Sequence, residues 1–176
     1  PGVGRIGAGH FVVAGDASPD GPLRIELDAD TLAGPAGEMH ARRLKVRLEG
    51  SRRSHALLAE AELGGREKLE ARLAGGVDGA VRDGWSGRIE HLRLASADGA
   101  RYVLLAQPGP LAVAGEGWRL GPLQLRAARS EFSLSAQAGS RRLSVAADGR
   151  GERLGDVVLR LDAGMRDPWT LDRQAP

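Results

Sequence analysis

The side chains best suited to catalysis or metal binding are scattered along this sequence. The four histidines, His10, His40, His55 and His91, form no i, i+4 pair and no H-x-H beside a carboxylate cluster, whereas a metal site needs three or four converging ligands. No G-x-S-x-G turn occurs, so nothing marks Ser86 as a nucleophile. Carboxylates are plentiful, but no spacing singles out an acid and base pair. The sequence therefore predicts a protein that is not an enzyme, with no metal and no cofactor.

One stretch has the spacing of a phosphate-binding loop. Residues 2–7 read G-x-G-x-x-G, the pattern that lets a backbone approach a pyrophosphate at the start of a helix. No strand precedes it, and residues 11–16 favour a strand and a turn where the motif requires a helix. We therefore do not expect nucleotide binding.

Charge and arginine placement favour a solvated surface. The chain has 25 Lys and Arg against 23 Asp and Glu, a net charge of +2, with both signs mixed along its length. This pattern predicts no nucleic-acid partner. Three arginine pairs could bind phosphates, including lipid headgroups, but exposed arginine usually serves solubility, and we favour that interpretation. The pairs are Arg42-Arg43, Arg52-Arg53 and Arg141-Arg142.

The apolar content is aliphatic. Hydrophobic residues make up 41% of the chain but aromatic residues only 3%, and there is no cysteine. The buried face must therefore be built from Leu, Val and Ala, without the large rings that fill most two-sheet sandwiches. Trp85, Trp118 and Trp169 each follow a Gly or Pro, which favours packing at strand ends over contact with a ligand.

Short runs of alternating apolar and polar residues predict strands with one dry and one wet face. They are separated by turn formers about every 10 to 14 residues, a spacing typical of all-β proteins. Asp-Gly pairs suit tight hairpins because glycine tolerates left-handed dihedrals. The runs are residues 23–27, 44–48, 123–126, 132–136, 143–146 and 157–161, and the Asp-Gly pairs are Asp20-Gly21, Asp78-Gly79, Asp83-Gly84, Asp98-Gly99 and Asp148-Gly149.

Residues 36–73 are rich in Ala, Glu, Leu, Lys and Arg, so a helix remains an alternative there. Against a helix, residues 69–73 alternate by two, and Gly64-Gly65 and Gly75-Gly76 bracket the run as expected breakers. We favour strands. At the carboxyl end, residues 167–173 fit either a linker or another strand.

The chain is expected to be one unit over residues 1–176 and an internal piece of a longer protein. It begins at Pro1-Gly2 without methionine, and it has neither a signal peptide nor a stretch of the roughly 20 apolar residues that span a bilayer.

From about Gly50 to Arg126 the sequence resembles the TamB family, translocation and assembly module proteins that are anchored in the inner membrane and extend through the periplasm. The resemblance lies in glycine-bounded strands, a W-x-G-x-[IL]-x-x-L element, an aromatic-x-L step and a proline-led strand. Tyr102 stands where a tryptophan is usual. The matching residues are Gly50, His55-Ala56-Leu57, Leu73-Ala74-Gly75, residues 84–92, Tyr102-Val103-Leu104, Pro108-Gly109-Pro110-Leu111 and residues 118–125.

This resemblance implies an elongated, curved, mostly antiparallel sheet folded into a taco-like trough with a hydrophobic interior. It also implies a periplasmic location through an inner-membrane anchor outside this segment, carriage of phospholipid between the two membranes, and an outer-membrane BamA-type partner, TamA.

The alternate aliphatic residues are the expected lining of a groove for phospholipid acyl chains. A long exposed Leu and Val face needs an apolar cover, and acyl chains would supply one. Two other interpretations stay open: a scaffold module for outer-membrane protein assembly whose strand edges pair with other chains, and a glycan-binding or enzymatic β-domain, which should show clustered aromatic or polar groups. The expected groove residues are Ile25, Leu27, Leu44, Val46, Leu48, Leu57, Leu69, Leu73, Ile89, Leu92, Leu94, Leu104, Leu111, Val113, Leu123, Leu125, Phe132, Leu134, Leu143, Val145, Leu159 and Leu161.

Overall fold

The computed structural model describes residues 5–6, 8–16, 18–33, 40–64, 66–78, 84–115, 117–139, 142–151, 155–167 and 170–172. Within these ranges every regular element is a β-strand. None of the described residues forms a helix that could cross a bilayer. The strands are β1 (Arg5–Ile6), β2 (Gly9–Gly15), β3 (Leu23–Ala33), β4 (His40–Gly50), β5 (His55–Leu63), β6 (Lys68–Asp78), β7 (Gly84–Ala95), β8 (Tyr102–Gln107), β9 (Gly109–Ala114), β10 (Gly117–Ala127), β11 (Ser130–Gly139), β12 (Arg142–Gly151), β13 (Gly155–Asp167) and β14 (Thr170–Asp172).

The fourteen strands form a single antiparallel sheet in which each strand mostly pairs with the next one along the chain. At two places a pair of short strands shares one position: β1 and β2 both pair with β3, and β8 and β9 both lie between β7 and β10. Pro108 separates β8 from β9, because proline has no N–H to continue the hydrogen-bond ladder. The predicted all-β, antiparallel fold is confirmed.

The segment for which a helix was an alternative forms strands. Residues 40–50, 55–63 and 68–78 are β4, β5 and β6, while residues 34–39 and 65 lie outside the described ranges. Pairing with neighbours on both sides overrides the helix propensity of Ala, Leu, Glu and Lys. At the carboxyl end, residues 170–172 form β14, so a strand is correct there.

Two of the expected turns are present, at Asp20-Gly21 and Asp98-Gly99. The turn expected at Asp148-Gly149 is wrong, because these residues lie within β12 and pair with Ser133 and Phe132. Phe132 packs over Gly149, and a Cβ added at position 149 would lie 2.6 Å from the Cβ of Phe132. Gly79, Asp83 and Gly65 lie outside the described residues.

The expected break at Gly75-Gly76 is also wrong, because both residues lie inside β6. The indole of Trp85 covers Gly75 so closely that a Cβ there would lie 2.5 Å from its Cζ2 atom. Glycine fits within this strand because the indole of Trp85 occupies the space that a side chain at position 75 would need.

Bulges keep the apolar residues on one side where the alternation in the sequence fails. Ile89 and Leu92 are three residues apart, and a register shift against β6 absorbs the extra residue. The cis peptide Gly121-Pro122 lies in a second shift, between Leu120 and Leu123. Both irregularities restore the period of two that a one-faced sheet requires.

Candidate functional site

One surface of the sheet, here called the apolar face, carries a continuous row of aliphatic side chains across the strands. Successive cross-strand partners run from Ile25 through Leu48, Leu57 and Leu73 to Ile89. The row continues at Gly109, over which Leu123 packs, and then through Leu134, Ala147 and Leu159. At about 4.8 Å per strand, the row from β3 to β13 measures about 40 Å.

The register brings nearly all the expected groove residues onto the apolar face. Each of them occupies a position whose cross-strand partners belong to this face. Leu159 and Leu161 are placed on this face by their pairing with Ala147 and Val145. The residues on the face are Ile25, Leu27, Leu44, Val46, Leu48, Leu57, Leu69, Leu73, Ile89, Leu92, Leu94, Leu111, Val113, Leu123, Leu125, Phe132, Leu134, Leu143, Val145, Leu159 and Leu161.

Leu104 requires a correction, because it lies on the opposite surface. Its cross-strand partners are Arg93 and Arg126, while the adjacent Val103 and Leu105 pack with the apolar face. The run Tyr102-Val103-Leu104-Leu105 has apolar residues at consecutive positions, so alternation alone cannot choose between them. Pairing of Val103 with Leu94 decides the register.

Most of the large apolar side chains on the apolar face are only half-buried. Among the described residues, the fully buried large ones are Ile89, Leu123 and Leu125, packed with neighbours from β6 to β11. The leucines and valines of β3 to β6 on this face remain half-buried. Residues in the core of a two-sheet sandwich are far less exposed, and the described strands form no second sheet to cover these.

The other surface, here called the polar face, largely neutralises its own charge. Arg24 and Arg47 both donate to Oε1 of Glu26, at 2.7 and 3.0 Å. Arg72 lies 3.2 Å from Oε2 of Glu90, and Arg88 lies 2.9 Å from its Oε1. The arginine side chains are more than half exposed and the glutamates about a quarter, so water screens each pair and each adds little stability. Because arginine and glutamate side chains alternate across neighbouring strands here, this is the surface that faces water.

The carboxyl group of Glu26 titrates under the influence of its arginine neighbours. The hydrogen bond from Arg24, followed by the charges of Arg24 and Arg47, lowers the pKa of Glu26 below its usual range, and partial desolvation opposes this. The same contact raises the pKa of Arg24. Of the arginines considered as phosphate ligands, Arg43 lies 3.1 Å from Glu62 and Arg53 lies 3.1 Å from Asp20.

A hydrogen-bonded pair of rings at one end of the apolar face was not anticipated from the sequence. Nε1 of Trp85 donates to Nε2 of His55 at 2.7 Å, and Nδ1 of His55 lies 2.9 Å from the carbonyl oxygen of Ser51. Since a carbonyl can only accept, the proton of the neutral imidazole is on Nδ1. The indole lies over Gly75 and Gly87, so a ring occupies space that the glycines would otherwise leave open.

Two of the three tryptophans are brought together. Trp85 and Trp118 flank Val113 in one cross-strand row, while Trp169 lies outside the described residues. Trp118 and Val113 are 38% and 44% exposed. The expectation of packing at a strand end fits Trp85, whereas Trp118 leaves much of its ring accessible at the same end of the apolar face.

The polar face of β9 to β12 has two shallow recesses, which the sequence did not indicate. Their volumes are about 420 and 300 Å³, and both are lined by Arg119, Gln137 and Ser144. The recesses arise because small residues, Ala112 among them, stand beside longer ones.

The other residues considered for chemistry are dispersed. Within the described part of the chain, no three His, Asp or Glu side chains converge as metal ligands. Ser86 is exposed on β7. The G-x-G-x-x-G stretch lies mostly outside the described residues, its Arg5–Ile6 portion forms β1, and the strand β2 follows it. Arg141 also lies outside.

Comparisons of the chain with models of protein families, with curated proteins and with solved structures found no match.

Proposed function

We propose that this chain is a segment of a periplasmic, inner-membrane-anchored protein whose apolar face forms a groove that carries phospholipid between the inner and outer membranes. The observation that carries the proposal is the single sheet with one aliphatic, half-buried face and one charge-paired face. An acyl chain on the apolar face removes from water the surface that the strands leave uncovered, at about 0.8 kcal/mol for each buried CH₂.

Transport along such a face needs uniformity more than tight binding. Aliphatic side chains recur at each strand from β3 to β7, and Leu123 covers Gly109 where the row crosses β9, so a lipid tail meets a similar surface after each step. No charged residue is registered in the row from Ile25 to Ile89, hence no desolvated charge interrupts it. The headgroup would remain in water at the rim.

The resemblance to the TamB family supplies the setting. It motivates the taco-like curvature, the periplasmic location and the outer-membrane BamA-type partner, TamA, as parts of the same proposal. Curvature would convert the open face into a trough and bring its two sides toward a lipid tail.

Adjacent leucines on β5 provide a matched test. Leu57 lies on the apolar face, whereas Leu58 is 46% exposed on the polar face between Arg47 and Arg72. A photo-crosslinking amino acid is placed at either position, the protein is incubated with phosphatidylethanolamine and phosphatidylglycerol vesicles, and adducts are identified by mass spectrometry. Leu104 serves as a second polar-face position.

We expect lipid adducts at position 57 and far fewer at positions 58 and 104, although Leu58 is the more exposed leucine. Equal labelling at 57 and 58 would indicate unspecific contact with the vesicle and contradict a one-faced groove. Absence of adducts at 57, with the sheet intact by circular dichroism, would also overturn the proposal.

A further inference from the structure

One row of the apolar face lacks aliphatic side chains over part of its length. It lies beside the row that contains Leu73 and Ile89, about 6.7 Å further along the strands. From β3 to β9 this row consists of Leu23, Gly50, His55, Gly75, Gly87 and Leu111. Because Gly75 and Gly87 are cross-strand partners without side chains, the backbone alone would leave a depression above them, here called the glycine trench.

The indole of Trp85 fills the glycine trench. Trp85 lies two residues before Gly87 on β7, and its ring extends from its own row across both glycines. A Cβ added at Gly75 would lie 2.5 Å from Cζ2 of the indole, and one added at Gly87 would lie 2.7 Å from Cη2. Both atoms belong to the six-membered ring, so the apolar end of the indole covers the glycine backbone.

Hydrogen bonds hold the indole in this position. Nε1 of Trp85 donates to Nε2 of His55 at 2.7 Å, and Nδ1 of His55 donates to the carbonyl oxygen of Ser51 at 2.9 Å. The turn that carries Ser51 is itself bonded to β6, since the N–H of Val77 donates to the carbonyl oxygen of Arg52 at 2.8 Å. His55 is therefore a positioning residue for the ring of Trp85.

An open glycine trench would hold a lipid tail more tightly than the rest of the apolar face. A methylene group in it would contact the backbone of Gly75 and lie between Leu73 and Val77, the flanking residues of the same face on β6. Each additional CH₂ removed from water strengthens binding about fourfold. A tail that moves from strand to strand needs similar affinity at each step, so an open trench would retain it.

We propose that Trp85, positioned by His55, keeps lipid tails out of the glycine trench and so prevents a lipid from being trapped on the apolar face. This inference rests on the proposed lipid-carrying function. Its distinctive consequence is a gain of affinity. Removal of the indole should strengthen lipid binding, whereas damage to the fold would weaken it.

Lipid binding by Trp85→Ala tests the proposal. Radiolabelled phosphatidylethanolamine is offered in vesicles of phosphatidylethanolamine and phosphatidylglycerol, and its affinity for the protein and its rate of release to unlabelled vesicles are measured. We expect Trp85→Ala to bind at least about tenfold more tightly than the native chain, because two or more additional CH₂ groups are buried, and to release the lipid correspondingly more slowly. Trp85→Phe loses the cover of Gly75 and should show a smaller gain. It provides the comparison if circular dichroism shows that Trp85→Ala does not fold.

Trp118→Ala is the matched control. Trp118 lies in the same outer row as Trp85, but the next residue of this face on β10 is Leu120, whose partners are Leu111 and Ala136. Its removal therefore opens no glycine-floored space and should weaken lipid binding or leave it unchanged.

Added indole gives a second readout. It should refill the trench of Trp85→Ala, with its N–H donated to His55, and so return the variant to the lipid affinity of the native chain. Nitrogen NMR of the His55 imidazole follows the binding of indole directly, without lipid. The same concentration of indole should leave lipid binding by the native chain unchanged.

The outcomes separate this inference from the proposed function. If the native chain binds lipid but the folded Trp85 variants show no gain, or a gain that indole does not reverse, the role of Trp85 is overturned and the groove is not. Binding by Trp85→Ala alone would support the trench and contradict carriage by the native chain. Absence of lipid binding by all the chains would overturn both.

Discussion

Fully buried and half-buried leucines on the apolar face should lose different amounts of stability when they are shortened to alanine. Leu123 is 1% exposed, and it packs over Gly109 and beside Leu134, so Leu123→Ala leaves a cavity. Leu48 is half-buried on the same face, so Leu48→Ala leaves a shallower surface that water can reach. The comparison therefore tests whether the face is covered in solution.

The expected magnitudes follow from burial. Leucine to alanine at a fully buried site costs about 2–5 kcal/mol because transfer and cavity terms add, and we expect about 3 kcal/mol for Leu123→Ala. At Leu48 roughly half of the transfer term applies and no closed cavity forms, which gives about 1 kcal/mol. Leu58→Ala, on the polar face, should change the free energy of unfolding by no more than about 0.5 kcal/mol.

Urea unfolding monitored by circular dichroism measures these differences, provided that the slope of each transition is unchanged. The measurement is made without lipid, at a protein concentration where the oligomeric state of each variant is known. A loss at Leu48 equal to that at Leu123 would mean that another layer buries Leu48 in solution. That result would refute the open apolar face.

Two further predictions concern side-chain hydrogen bonds at the two faces. Trp85→Phe removes the donor to His55 together with the part of the indole that lies over Gly75, and should lower the free energy of unfolding by at least about 1 kcal/mol. Nitrogen NMR of the imidazole should find the proton on Nδ1 in the native chain, and a proton on Nε2 would contradict the assigned pair. Arg24→Gln should raise the pKa of Glu26 in a carbon NMR titration, because it removes the hydrogen bond that chiefly lowers it. Because the pKa of Glu26 is lowered in the folded state, its contribution to stability is present at pH values above its ordinary pKa and is lost as the pH falls through the lowered pKa. A pKa of Glu26 that Arg24→Gln leaves unchanged would contradict the contact.

The strand content and the two-faced character of the sheet could be predicted from the sequence alone. Alternation at residues 23–27 and 44–48 places aliphatic and charged side chains on opposite sides of any strand, whatever its neighbours are. The scarcity of aromatic residues also indicated that an aliphatic face, and no ring-filled core, would result.

Tertiary structure decided the register, and with it the positions where local signals mislead. Leu104 and Leu105 are equally apolar, and only pairing with β7 and β10 turned Leu104 toward Arg93 and Arg126. Glycines at 75 and 149 look like breakers in sequence, yet Trp85 and Phe132 cover them within strands. A one-residue shift of pairing exchanges the two faces, so cross-strand contacts far apart in the chain select the arrangement that alternation by itself leaves undetermined.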